Sequence, residues 1–228
     1  MNTATQITLS KTTLAILKNF SSLNSNILVY PGNVIKTITP SMNGMAEATV
    51  EETFDTQFGI WDLNKFLGVI SLYSNPTFDF QEKFVTIHGN NNSVIKYFYS
   101  EPRLLTIPNK SVNMPEIAIE TSITQEMFSE LNRASSILQL PDISFKNDDD
   151  KIYVEVVDRA DPTSNRCRIQ LGGDTNGKDF NFNFKMDNIK LLPGNYNISF
   201  GKQLAGCFEN ETTPLTYWFA MQPDSYCK

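Results

Sequence analysis

The chain has 228 residues, enough for one large β-rich domain or two of about a hundred residues each. Its hydrophobic share of 40%, with 16 Phe and 8 Tyr, supports a packed core, and no run of eighteen apolar residues offers a membrane span. A net charge of -6 and a pI near 4.9 weigh against an ordinary nucleic-acid binder, which needs a basic footprint for phosphates, unless opposite charges are segregated by face.

The opening MNTATQITL lacks the basic-then-apolar form of a secretory signal, which predicts a cytoplasmic protein. Residues 10–23 read as a capped amphipathic helix. Leu9, Ile16, Leu17, Phe20 and Leu23 share one side, and Lys11, Ala15, Lys18 and Ser22 form a narrow opposite stripe with no acid. Strands follow at 27–30 and 34–38, then a helix at 62–72 with Leu63, Phe66, Leu67 and Ile70 inward and Asn64, Lys65 and Gly68 outward. Strands at 84–88 and 94–99 precede residues 102–115, whose three prolines and absent helical period predict an extended connector. A third helix at 124–139 places Met127, Leu131, Ala134 and Leu138 inward and Arg133 outward. Strands at 152–157 and 166–171, a short helix near 186–191 flanked by Lys185 and Lys190, and strands at 196–200 and 217–221 complete the chain. Turn signals such as Pro31-Gly32, Gly172-Gly173-Asp174 and Pro193-Gly194 separate the strands.

This order predicts an α+β protein of antiparallel sheets with two similarly laid out domains, 1–112 and 113–228, joined by a connector at about 101–115. Residues 1–112 hold eight Lys/Arg and eight Asp/Glu, and residues 113–228 hold eleven and seventeen, so the acidic excess lies in the second half. Asp62 and Asp187 stand where helix N-termini favour negative charge. If all four helices lie on one side of the sheets, Lys11, Lys18, Lys65, Arg133, Lys185 and Lys190 form one basic surface backed by acidic strands and loops. Such a surface holds phosphates without reading bases, and no recognition helix or zinc finger is present.

The succession SKTTLAILKNF, WDLNKFLGVISL, PNK, LNRASSILQ and FKMDNIKLLPGNY strongly resembles the replication sliding clamps of T-even-type bacteriophages, over essentially the whole chain. The resemblance implies a clamp fold: a homotrimeric ring of two-domain subunits, with helices inside around duplex DNA and antiparallel sheets outside. It further implies docking of the replicative DNA polymerase by its C-terminal tail, loading by a separate ATP-driven clamp loader, and work in the cytoplasm of an infected bacterial host. By resemblance Lys11, Lys18, Arg133 and Lys190 match positions that line the ring. Ser136 stands where the family pattern can carry a second arginine, which implies a thinner inner charge. The partner pocket implied beneath the connector points to Leu104, Leu105, Ile107 and Pro108, and to Tyr217, Trp218, Phe219 and Met221 on a late strand, of which alternation lets about half face it.

Other chemistry finds little support. Cys167, Cys207 and Cys227 are too few and scattered for a disulfide framework or a zinc site and read as thiols. His88 has no accompanying nucleophile pattern, Asp148-Asp149-Asp150 lacks calcium-loop spacing and reads as a hairpin tip, and no phosphate-binding glycine loop occurs. A non-enzymatic protein without metal or cofactor is therefore expected. Two other classes remain: a single-strand binder stacking bases on Tyr97-Phe98-Tyr99, and a structural β-sandwich.

Overall fold

The computed structural model describes residues 6–108, 112, 114, 116–201 and 205–228. The chain divides into two compact units, Met1–Lys110 and Ser111–Lys228. Asn109, Lys110, Ser111, Asn113 and Pro115, which include the end of the PNK motif and part of the expected connector, lie outside the described residues.

In the first unit α1 (Lys11–Leu23) begins where Ser10 accepts the Thr13 N–H at 3.0 Å, an N-cap that satisfies one orphan donor of the first turn. It buries Ile16, Leu17, Phe20 and Leu23, as the spacing predicts. β1 (Ile27–Val29) and β4 (Phe58–Ile60) pair antiparallel, as do β2 (Gly32–Ile38) and β3 (Gly44–Phe54). α2 (Leu63–Ile70) starts at Asp62, whose carboxylate accepts the Lys65 N–H at 2.8 Å. β5 (Thr77–Phe80), β6 (Phe84–His88) and β7 (Val94–Phe98) make an antiparallel sheet. Phe54, Phe58 and Phe80 interlock with centroids 4.7 to 5.4 Å apart.

The expected extended connector opens instead with a 3-10 turn, Pro102–Leu104, because proline presets the φ of a first helical position. The turn drops Leu105 into the first unit's core at 8% exposure, against Gly59.

In the second unit β9 (Asp142–Asp148), β10 (Lys151–Val157), β11 (Arg166–Leu171), β12 (Phe180–Lys185) and β16 (Tyr226–Cys227) form one sheet, with β11 at one end. β8 (Ile117–Ile123), β13 (Tyr196–Gly201), β14 (Ala205–Asn210) and β15 (Leu215–Ala220) pair in the order β8, β13, β14, β15. Their faces meet where Phe182 and Phe145 approach Phe200 at 4.6 and 4.9 Å between centroids. Gly206 admits the ring edge of Phe184, since a Cβ there would lie 2.9 Å from Cζ. The loop after β11 covers the free side of β8. Thr121 Oγ1 donates to Gly172 O at 2.6 Å, Lys178 Nζ donates to Ala118 O at 2.8 Å, and Gly173 approaches with φ +115°.

α3 (Gln125–Leu138) packs over β10 and β11. Its last turn departs from the predicted face: Ser135 is buried, whereas Leu138 is exposed. Gln139 adopts φ 55°, a left-handed ending that reverses the chain, so Leu140 fills the space expected for Leu138 and accepts the Ser135 hydroxyl at 2.7 Å. The predicted fourth helix is a single 3-10 turn, Met186–Asn188. Both polar backbone groups of Leu192 are claimed elsewhere: its N–H donates to Tyr217 Oη at 3.0 Å and its carbonyl accepts from Tyr196 Oη at 2.5 Å, so no ladder can continue. Asp187 therefore serves a turn rather than a helix dipole. Among the strands absent from the sequence reading, β3 and β14 are rich in Ala, Glu or Asn. No helix among the described residues is long and apolar enough to cross a membrane.

Candidate nucleic-acid interface

α1 carries the best-defined basic face. Lys11 and Lys18 are exposed, the helix has no acid, and neither lysine has an ion-pair partner among the described residues. The helix is held from below by Glu52, which lies in the buried row of β3 at 9% exposure. Its carboxylate accepts the Ser10 backbone N–H through Oε1 and the Thr13 hydroxyl through Oε2, the latter at 2.5 Å. An anion at the helix N-terminus suits the dipole, so the first turn is fixed without occupying a lysine. α2 packs beside α1 and adds Lys65, also exposed. A groove of about 280 Å³ runs between them, with Lys11 and Lys18 on its border and Leu14, Leu67 and Tyr73 in its lining.

The second unit distributes its cations differently. Arg133 is exposed on α3 beside a groove of about 440 Å³ lined by Phe128, Asn132, Ile137 and Leu192. Its helix also carries exposed Glu126 and Glu130. Lys185 is bound to the buried Asp142: Nζ lies 2.7 Å from Oδ1, while the Arg159 N–H donates to Oδ2 at 3.3 Å. Arg159 continues the network to Asp224 at 2.8 Å. Lys185 thus neutralises its own unit, because withdrawing it would leave a carboxylate at 2% exposure poorly compensated. Lys190 is exposed, on a segment the two tyrosines tie down at Leu192. Burial raises the Tyr196 hydroxyl to about 12, so it remains a donor across the ordinary pH range.

The eight partner-site candidates divide by burial. Leu104 is 57% exposed, and Ile107 and Pro108 are half-buried. Leu105 is a core residue, which corrects its placement on an exposed contact surface. On β15, Tyr217, Phe219 and Met221 are buried, and Tyr217 is further committed to Leu192; only Trp218, on the other face, is half-buried and accessible. The aromatic run expected of a single-strand binder is largely internal as well. Tyr97 packs edge-on to Phe66 at 5.0 Å and Tyr99 against Phe58 at 5.7 Å, leaving Phe98 exposed. The cysteines are free thiols, with burial raising Cys207 to about 12, and no metal-holding group of three or more ligands occurs among the described residues.

Sequence reading missed Glu52 and Asp142. Neither had a local signal, since Glu52 bonds residues 39 and 42 positions away and Asp142 bonds Lys185 43 positions away.

Comparisons with known proteins agree in both halves. A model described as DNA polymerase processivity factor matches residues 9–97, and one described as gp45 sliding clamp, C terminal, matches residues 120–222. A sliding clamp of Enterobacteria phage T4 is 33% identical over 224 residues, and one of Escherichia phage RB69 is 31% identical over 230. Each alignment covers 95% of this chain and 97% of the relative. Among solved structures, PCNA from Thermococcus kodakaraensis matches with TM-score 0.70 at 12% identity, over 95% of this chain and 99% of that one. A. fulgidus PCNA, bound to the C-terminal region of FEN-1, matches with TM-score 0.71 at 14% identity, over 96% and 99%. At such identities the structural likenesses establish the clamp fold.

Proposed function

This chain belongs to the sliding-clamp family of T4-like phages, and on that footing we propose that three copies close into a ring around duplex DNA and hold the replicative polymerase there by its C-terminal tail. As a DNA polymerase processivity factor it catalyses no reaction. The observation that carries the DNA-facing part is the acid-free face of α1, where Lys11 and Lys18 are exposed without ion-pair partners among the described residues. Arg133 and Lys190 extend the same role to the second unit. Long lysines follow a moving phosphate backbone without reading bases, and a closed ring retains DNA by topology. Weak contacts are then useful, because strong ones would slow sliding.

Leu104, Ile107, Pro108 and Trp218 form the proposed contact for the polymerase tail, being the candidates that burial leaves accessible. Opening and closing the ring is assigned to a separate ATP-driven loader, and the work to the cytoplasm of the infected bacterial host.

The test compares retention on closed circular and linear duplex after loading, together with mass in solution. Long retention on the circle, rapid loss from linear ends and a species of three times 25.8 kDa are expected. Equal retention on both forms would overturn encirclement.

A further inference from the structure

The turn between α1 and β1 buries two asparagines, Asn24 at 3% exposure and Asn26 at 7%, flanked by the core residues Leu23 and Ile27. A buried carboxamide is costly unless its polar atoms are bonded, so each position calls for specific partners. Those partners lie at the start of the connector. Asn24 donates through Nδ2 to Ile38 O at 2.9 Å and to Thr106 O at 3.0 Å, while its Oδ1 accepts the Asn26 N–H at 3.1 Å. Asn26 Oδ1 in turn accepts the Thr106 N–H at 2.9 Å.

Thr106 belongs to no strand, yet both its backbone groups are bound, one as donor and one as acceptor, as a strand partner would bind them. Leu105 beside it is held separately, by burial in the first unit's core. Two successive connector residues are therefore fixed. Leu104, Ile107 and Pro108 around them stay accessible, and the proline disfavours helical backbone at Ile107. A surface segment without such bonds would be ordered only on meeting its partner, and the entropy of that ordering would weaken binding.

We propose that Asn24 and Asn26 are positioning residues for the polymerase tail: they touch no tail residue, but by clamping Thr106 they present Leu104, Ile107 and Pro108 as a surface formed before the tail arrives. The proposal rests on the tail contact named above. It also gives the two asparagines opposite chemistry, since Asn26 serves Thr106 as an acceptor and Asn24 serves it as a donor.

That difference sets the experiment. Calorimetry on the full chain measures binding of a synthetic peptide of the replicative polymerase's C-terminal residues, with residue-resolved hydrogen exchange at the Thr106 amide read in parallel. Asn26→Ala is expected to weaken the peptide about tenfold, the equivalent of ordering about one residue on binding, and to lose protection at Thr106. Asn26→Asp keeps an acceptor and is expected to stay near wild type in both. Asn24→Asp instead turns an oxygen toward two carbonyls and is expected to weaken the peptide as Asn26→Ala does. A folded Asn26→Ala with lowered urea stability but wild-type peptide affinity overturns the positioning role. So does a wild-type Thr106 amide that exchanges freely until the peptide is added, an outcome readable even if every variant unfolds. Leu104→Ala with Ile107→Ala tests the contact itself: wild-type affinity there, with Thr106 still protected, overturns the tail reading and this proposal with it, while the clamp on Thr106 stands.

Discussion

Glu52 and Asp142 are both carboxylates buried under a basic surface, one in each unit, and they spend their charge differently. Glu52 accepts a backbone N–H and a hydroxyl, so the helix above it is anchored while Lys11 and Lys18 stay available. Asp142 accepts from Lys185 itself, so one cation of the second unit is consumed in holding the fold. The count of basic residues on a face therefore overstates the charge it can offer to phosphates. What matters is which donors the buried acids have already taken.

The strongest test of this contrast removes the anchor. Glu52→Ala removes the acceptor of the buried Thr13 hydroxyl and of the Ser10 N–H, and is expected to cost about 3 kcal/mol in urea unfolding, whereas Glu51→Ala on the exposed row of the same strand should stay within about 0.5 kcal/mol. Equal effects would remove the distinction between anchor and surface acid.

A second test separates offered from consumed lysines. Lys11→Glu with Lys18→Glu should shorten retention on circular duplex and reduce the slope of log affinity against log salt by about two, one for each lost phosphate contact. Lys185→Gln should leave that slope in place and appear instead as about 1 kcal/mol lost in unfolding, a modest figure because the lysine is half exposed. A change in slope with Lys185→Gln would return that residue to the DNA face.

An effect at neutral pH no larger than that of Lys185→Gln belongs to the tyrosine that fixes the Lys190 segment. Tyr196→Phe loses one bond to Leu192 and should cost about 1 kcal/mol at pH 7. The folded hydroxyl titrates near 12, above the ordinary tyrosine value of 10.0, so its contribution is complete below 10 and disappears as pH rises toward 12. The gap between wild type and variant in urea should accordingly narrow over that interval, and a gap that widened would reverse the assignment.

The helices were legible in the sequence where local pattern governs. The apolar spacing of 10–23 placed every buried apolar residue of α1, though not the buried Thr13, and Asp62 marked the start of α2. The pattern failed where a distant group intervened. Leu138 was placed inward because the helical period continued on paper, but the left-handed turn at Gln139 gave its place to Leu140. The fourth helix failed because Tyr196 and Tyr217 bind the backbone of Leu192 across the fold. The strand β3 reads as GMAEATVEETF, with alternation carried by Ala and Glu rather than by branched residues, so its buried Glu52 looked like its exposed neighbour. Leu105 was legible as apolar, but its direction depended on the turn at Pro102.

The covered edge of β8 bears on how the protein keeps in storage. An open strand edge presents unpaired backbone groups and is a template for pairing with another chain. The stretch around Gly172–Lys178 masks that strand with one hydroxyl contact, one lysine contact and a close glycine approach. Nicking or shortening it would leave the basic face of α1 unchanged and open the β8 edge to pairing with other chains.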